Sequence, residues 1–372
     1  ASPWISRHIG LHPVVLDELL QPLADTSRFE REPLQAELRH RLSQIETGDE
    51  EMAMNVLREF HHGVVLRVAA ADVRGDIDAH GVERALTLLA EVLLEQVLSD
   101  ARERVEKRQG KAPGTAGVVA YGKFAAGELG YHSDLDIVVV FETDNTVANT
   151  EAEYFFSRVG QRLIHLLTTR THAGSLYELD MRLRPSGRSG TLVSSVESFR
   201  DYQLNHAWTW EHQALVRARM VAGGKGLTDH FEAVRREVLC QPREAEKLRG
   251  DIRDMRQRML TANCQSDETQ YDIKLDRGGI VDIEFLLQYM VLLHANGHPM
   301  LCEPRNTLEL IERLVGEGIL TGEQGAVLGR AYRGYLRQSL DLKLLDRPVL
   351  IPRSELTGER ESVAGLWEKT FG

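Results

Sequence analysis

The chain has 372 residues, 42% of them hydrophobic and 27% charged, which describes a globular protein long enough for two or three domains. Lys plus Arg number 45 against 56 Asp plus Glu, and the net charge of −11 opposes a broad surface tracking DNA or RNA phosphates, while leaving room for a local basic cleft. Three scattered cysteines (Cys240, Cys264, Cys302) fit neither a disulfide framework nor a zinc cluster, no apolar run reaches the roughly 20 residues of a membrane span, and Ala1-Ser2-Pro3-Trp4 lacks a signal-peptide pattern, so a reducing cytoplasm is the expected compartment.

Helices are predicted from Pro13 to about Gly110. Leu86, Leu89, Ala90, Leu93, Leu94 and Val97 recur at helical spacing and leave the charged residues on the opposite face. The breaker segment Gly110-Lys111-Ala112-Pro113-Gly114 stops that rhythm, and Gly117 to Tyr121 reads as a short buried strand. Gly122-Lys123 and a short Ala-rich helical turn follow, then an acidic strand from Leu135 to Phe141. The next helix carries Phe156, Val159, Gly160, Leu163, Ile164 and Leu167 on one stripe. A third strand is predicted over about Ser175 to Arg184, ended by Pro185. Beyond Gly223-Gly224 the pattern is helical, with one helix beginning near Gly279 and burying Ile283, Leu286, Leu287 and Met290, and another carrying Leu328, Ala331, Tyr332, Tyr335 and Leu336. The expected architecture is α+β, with a small mixed sheet over 76–222 between an N-terminal helical region, 1–75, and a C-terminal helical bundle, 223–372.

The chemistry is concentrated in Ser133-Asp134-Leu135-Asp136-Ile137-Val138. A strand alternates its side chains, so Asp134 and Asp136 point one way while Leu135 and Ile137 enter the other face. Two such acids suit Mg²⁺, which takes carboxylate oxygens and fills its remaining positions with water and phosphates. In the third strand, Glu178, Asp180, Arg182 and Arg184 share one face, opposite Tyr177, Leu179, Met181 and Leu183. Asp180 would complete a two-metal site, with the arginines near developing phosphate charge; the alternative is a solvated strand face laced with salt bridges. Gly122-Lys123, ahead of the acid pair, either admits phosphate oxygens close to the backbone or makes a simple turn.

The ordered strings Ala120-Tyr121-Gly122-Lys123, Gly127 through Asp136 (GELGYHSDLD), Asp180 through Gly187 (DMRLRPSG), Trp208 through Arg219 (WTWEHQALVRAR) and Gly278 through Phe285 (GGIVDIEF) resemble bacterial glutamine synthetase adenylyltransferase, within the DNA polymerase beta nucleotidyltransferase superfamily. The resemblance covers nearly the whole chain. It implies a polymerase beta-like nucleotidyltransferase core, ATP as substrate, and Mg²⁺, or Mn²⁺ in its place, held by Asp134, Asp136 and Asp180. It further implies transfer of AMP to a tyrosine hydroxyl of glutamine synthetase, with PII signal protein as partner and glutamine as effector. That family has two related halves, one adding and one removing AMP; the strings here look like the C-terminal, adenylylating half. Phe124-Ala125-Ala126 departs from the family's more usual leucine and glycine pair.

Lys123, Ser133, Arg182 and Arg184 are expected to contact the nucleotide or its phosphates, although Ser133 is equally a turn or cap residue. In a helix expected over Trp208 to Arg219, Trp208 and Trp210 are expected to pack rather than stack on a base, and Arg217 and Arg219 either bind phosphate or form salt bridges. His61-His62 has no i+4 histidine, so no metal role is expected of it. Lys274, Asp276, Asp282 and Glu284 surround the Gly278-Gly279 turn, read as a structural brace. The alternatives to transfer onto glutamine synthetase are a nucleotide-binding regulatory module that docks PII without chemistry, and transfer to another acceptor.

Overall fold

The computed structural model describes residues 2–13, 26–46, 48–144, 148–303 and 305–372. Part of the expected N-terminal helical stretch, residues 14–25, lies outside the described residues. The chain forms two compact units, Ala1–Tyr202 with Arg219–Glu232, and Gln203–Ala218 with Ala233–Gly372. The path therefore leaves the first unit, returns for a short stretch, and leaves again.

The first unit opens with α1 (Pro3–Leu11), α2 (Arg31–Leu42), α3 (Glu50–Arg74) and α4 (Ala79–Gln109). The long helices begin and end where local chemistry directs. Asp49 and Asp78 cap the free N–H groups of Met52 and Gly81 at 3.0 and 2.8 Å, and Gly75, at φ 76°, takes the left-handed turn that closes α3. All six residues of the predicted α4 stripe, from Leu86 to Val97, are buried, each such leucine contributing about 1.5–3 kcal/mol of burial.

The sheet follows: β1 (Gly114–Ala120), α5 (Gly122–Ala126), β2 (Leu135–Thr143), α6 (Asn149–Thr168), β3 (Leu179–Asp180) and β4 (Val193–Ser195). After α7 (Val196–Asn205) and α8 (Thr209–Val216) comes β5 (Arg219–Ala222) and then α9 (Lys225–Leu239). Strand order is β3-β2-β1-β5, with β4 also pairing β2. β1 runs antiparallel to β2 and to β5, while β3 and β4 both run parallel to β2, one after the other along its edge. Central position explains why β2 is an almost unbroken apolar run from Ile137 to Phe141, all buried.

Three expectations are corrected here. The third strand is two residues long: after Asp180 the backbone turns, with Arg184 N–H on the Met181 carbonyl at 3.4 Å and Gly187 N–H on the Arg184 carbonyl at 2.8 Å. Arg182 and Arg184 therefore lie on a turn, not on a strand face shared with Asp180. Trp208 to Arg219 is not one helix, because α8 ends at Val216 and Arg219 opens β5.

The second unit adds α10 (Ala245–Asn263), β6 (Gln270–Asp272), α11 (Ile280–His294), α12 (Thr307–Gly316), α13 (Gly322–Leu344), β7 (Leu350–Pro352) and α14 (Thr357–Phe371). It is helical as expected, except that β6 and β7 form an antiparallel pair. Gly278 and Gly279 are irreplaceable at the turn before α11. An added Cβ would meet the Arg360 carbonyl at 2.3 Å and the Ile273 carbonyl at 2.6 Å, and Gly278 also holds φ 79°. Among the described residues no helix is long and apolar enough to cross a membrane.

Candidate active site

Strand register builds the site. Leu135 pairs with Leu179, which makes Asp136 and Asp180 direct neighbours across parallel strands, and the Leu135 N–H donates to the Glu178 carbonyl at 3.0 Å to fix that pairing. Neighbours in register present their side chains to the same face, and Asp134 lies in the loop just ahead of β2, where it lines a cavity with residues of α1 and α3. Antiparallel pairing of Ala120 with Ile137 brings the end of β1 to the start of β2, where the Tyr121 N–H donates to the Asp136 carbonyl at 2.9 Å.

Gly122 is the residue that this convergence demands. Its φ is +55°, and a Cβ there would stand 2.8 Å from Asp136 Oδ2. The missing side chain is the space the carboxylate uses. Lys123 follows, half-buried at the start of α5. That short helix is held from its other end by Arg219, whose Nε donates to the Ala125 carbonyl at 2.6 Å and whose guanidinium also pairs with buried Glu91. Of the two roles open to Arg219, the salt bridge is the one observed; Arg217 likewise pairs with Glu284, at 2.6 Å.

Asp180 is partly buried and Asp134 is exposed. Arg182 donates to both Asp180 oxygens from its side chain, including 2.7 Å from Nε to Oδ2, and from its backbone N–H at 2.9 Å. These bonds hold the Asp180 carboxyl below the usual carboxylate range, and the Asp136 charge helps to keep Arg182 protonated. The guanidinium itself is largely exposed, so it can swing toward a neighbouring anion. Arg184 is committed differently: its Nη1 donates to the Met181 carbonyl at 3.0 Å and closes the turn after β3. Ser133 also serves a turn, its Oγ accepting from the Gly130 N–H at 3.0 Å.

Asp136 and Asp180 on adjacent strands, with Asp134 just before β2 and a glycine clearing space beside Asp136, offer the carboxylate oxygens that hard divalent cations take. Carboxylates are the ligand type that Mg²⁺ or Mn²⁺ takes, although the Asp134, Asp136 and Asp180 oxygens do not all lie within 4.8 Å of one another in this structure. A family model for glutamate–ammonia ligase adenylyltransferase matches residues 1–234, more than half of the chain and all of this site. The chain belongs to that family. As an adenylyltransferase-family chain it carries the α+β nucleotidyltransferase core with helical flanks that its sequence predicted. A relative from Thioalkalivibrio sulfidiphilus (strain HL-EbGR7), named bifunctional glutamine synthetase adenylyltransferase/adenylyl-removing enzyme, is 43% identical over 388 residues that cover 100% of this chain and 40% of the relative. The chain thus spans about two fifths of that curated relative's length. A second family model, for PII-uridylyltransferase (GlnD), matches residues 246–348.

Two features escaped the sequence reading. Trp208 does not pack: it is 70% exposed at the N-terminus of α8, where its backbone N–H donates to Glu211 at 2.9 Å, whereas Trp210 is 36% exposed. His62 does have histidine partners, His8 and His12, delivered by a distant helix. The His8-x3-His12 spacing was the available signal.

In the second unit the residues around the Gly278-Gly279 turn behave as a brace. Buried Asp282 accepts from Arg256 Nε at 2.5 Å and from the Gly278 N–H at 2.6 Å, while Tyr335 donates to the Gly278 carbonyl at 2.7 Å.

Proposed function

We propose that this chain is the adenylylating half of its family's bifunctional enzyme, transferring AMP from ATP to a tyrosine hydroxyl of glutamine synthetase and releasing pyrophosphate. The observation that carries the reading is the register pairing of Asp136 with Asp180 beside Asp134. Asp134, Asp136 and Asp180 would hold two divalent ions, Mg²⁺ or Mn²⁺, which acidify the acceptor hydroxyl and neutralise the triphosphate and departing pyrophosphate. The tyrosine oxygen attacks the α-phosphorus in line, and positioning with charge neutralisation supplies most of the acceleration.

The chain's own residues have separable parts. Gly122 leaves the Asp136 carboxylate its space. Lys123 and the exposed guanidinium of Arg182 supply positive charge to the phosphates. Ser133 and Arg184 act through the turns they close. Asp180 either ligates or takes the phenolic proton, and its ionised state, favoured by Arg182, serves both. The negative net charge argues against a nucleic-acid acceptor. PII signal protein is the proposed regulatory partner, glutamine the proposed effector and the cytoplasm the proposed compartment; the PII-uridylyltransferase match over 246–348 supports a PII-linked role for the second unit.

The test is incubation with labelled ATP, Mg²⁺ and purified glutamine synthetase. Label is expected in glutamine synthetase and lost with Asp180→Asn, whose circular dichroism stays that of the parent. ATP binding without any incorporation would replace this reading with that of a regulatory module.

A further inference from the structure

A cavity of about 410 Å³ in the first unit is lined by Asp134 and by five histidines, of which His8, His12 and His62 cluster. His8 lies on α1, His12 caps the C-terminus of that helix, and His62 comes from α3. One ring nitrogen from each lies within 4.8 Å of the other two. His12 stacks on His62 with ring centres 3.7 Å apart, and His8 stands 5.2 Å from both.

The hydrogen bonds settle which nitrogens are available. His8 Nε2 lies 3.0 Å from the His62 carbonyl oxygen, and His62 Nε2 lies 3.1 Å from the Ala173 carbonyl oxygen. A carbonyl only accepts, so both rings carry their proton on Nε2 and present a bare lone pair on Nδ1. The His62 Nδ1 is buried and has no hydrogen-bond partner in the structure. A ring oriented by a carbonyl on one nitrogen, with an unsatisfied lone pair on the other, is how metal-binding histidines are prepared. Burial also keeps these rings neutral, as ligation requires, lowering His8 to about 4 and His62 to about 3. Stacking alone would leave the His62 lone pair desolvated with no compensating bond.

We propose that His8, His12 and His62 form a binding site for a divalent transition ion of the zinc class, distinct in chemistry from the carboxylate site. An all-imidazole set suits Zn²⁺, Co²⁺, Ni²⁺ or Cu²⁺ and is poor for Mg²⁺, which selects oxygen. Three protein ligands leave a fourth position open to the cavity. Tetrahedral bonds of about 2.0–2.1 Å need ligand atoms roughly 3.4 Å apart, so the cluster closes somewhat on binding. Half-exposed His12, at the end of its helix, is the side chain placed to rotate. Arg58 acts electrostatically against a cation near His62, and its guanidinium is held by the carbonyls of Met54, Leu166, Thr169 and Gly174. A bound ion would fasten α1 to α3 beside Asp134.

The test titrates the metal-free chain with Co²⁺ in excess Mg²⁺ and, separately, follows thermal unfolding with Zn²⁺. One equivalent of Co²⁺ is expected to produce a visible d–d absorption that survives Asp134→Asn with Asp136→Asn. It should weaken more than about tenfold in His12→Ala and in His62→Gln. Zn²⁺ should raise the midpoint of the parent and not that of His12→Ala, the exposed position whose truncation least threatens folding. Absence of Co²⁺ absorption in the parent, its loss in the aspartate variant alone, or an equal Zn²⁺ effect in His12→Ala would overturn the site. None of these readouts depends on AMP transfer, so they succeed or fail apart from the proposed activity.

Discussion

Asp136 and Asp180 are register partners across the parallel pair β2–β3, so two carboxylates stand on adjacent strands facing the same side of the sheet. Like charges this close oppose each other, and Arg182 offsets the repulsion by bonding Asp180. Neutralising Asp136 removes the repulsion and also a proposed ligand. Asp136→Asn is therefore expected to unfold in metal-free buffer no earlier than the parent, while AMP incorporation falls by at least about a hundredfold. Thermal unfolding and labelled-ATP transfer on the same preparation check both halves; a variant that transfers normally would remove Asp136 from the site.

Gly122→Ala separates space from charge. The left-handed backbone costs an L-residue about 1–2 kcal/mol, and the new methyl would press on Asp136 Oδ2 from 2.8 Å. The carboxylate has to move. Transfer is expected to fall on the order of a hundredfold for that displacement, with the half-saturating Mg²⁺ concentration raised. An unchanged Mg²⁺ dependence, with only stability lowered, would show that Gly122 serves the turn alone.

Where local periodicity decides structure, the residues could be read directly. The α4 and α6 stripes are one-face patterns, and the apolar run of β2 marks a strand covered on both sides. The misreadings arise where distant or local polar bonds override pattern. Alternation continued on paper through Arg184, but the Arg184 guanidinium bonds the Met181 carbonyl and Pro185 blocks a ladder, so the chain turns after Asp180. Trp208 carries a large apolar ring yet stands at a helix start in solvent, and nothing in its neighbours announces exposure. β5 is four residues directly after a helix, and it exists because β1 offers an edge. The His8–His62 meeting spans 54 positions and needed the packing of α1 on α3.

His212 links stability of the second unit to pH. Its Nε2 donates to the Gln203 carbonyl at 2.8 Å and its Nδ1 accepts from Arg243 at 2.9 Å; burial, then the Arg243 charge, lower it from 6.5 to about 4. The unfolded chain therefore binds this proton more readily. The contribution is complete above pH 6.5 and is lost as pH falls toward 4, amounting to on the order of 3 kcal/mol across that window. His212→Gln, which can keep one donor and one acceptor, is expected to flatten the fall in unfolding midpoint between pH 7 and pH 4.5. An unchanged slope would assign the acid sensitivity to other groups.

Arg256 and Asp282 form a buried ion pair beneath the Gly278-Gly279 turn, 2.5 Å apart, and burial raises the Asp282 carboxyl against the pull of that arginine. Removing one partner leaves the other charge buried and uncompensated, so Asp282→Ala is expected to cost about 3–5 kcal/mol in denaturant unfolding. For an isolated buried pair, replacing both members by apolar residues restores most of the loss. Here it should not. Asp282 Oδ2 also receives the Gly278 N–H at 2.6 Å, and the Arg256 Nη2 donates to the Leu275 carbonyl at 2.8 Å. In Arg256→Met with Asp282→Leu those backbone groups lose their partners, which costs about 1–3 kcal/mol for each that stays buried and unsatisfied. The double variant should thus remain less stable than the parent, though more stable than Asp282→Ala. Full recovery would mean that the turn holds its conformation without these two side chains, and that Tyr335 and the glycines suffice.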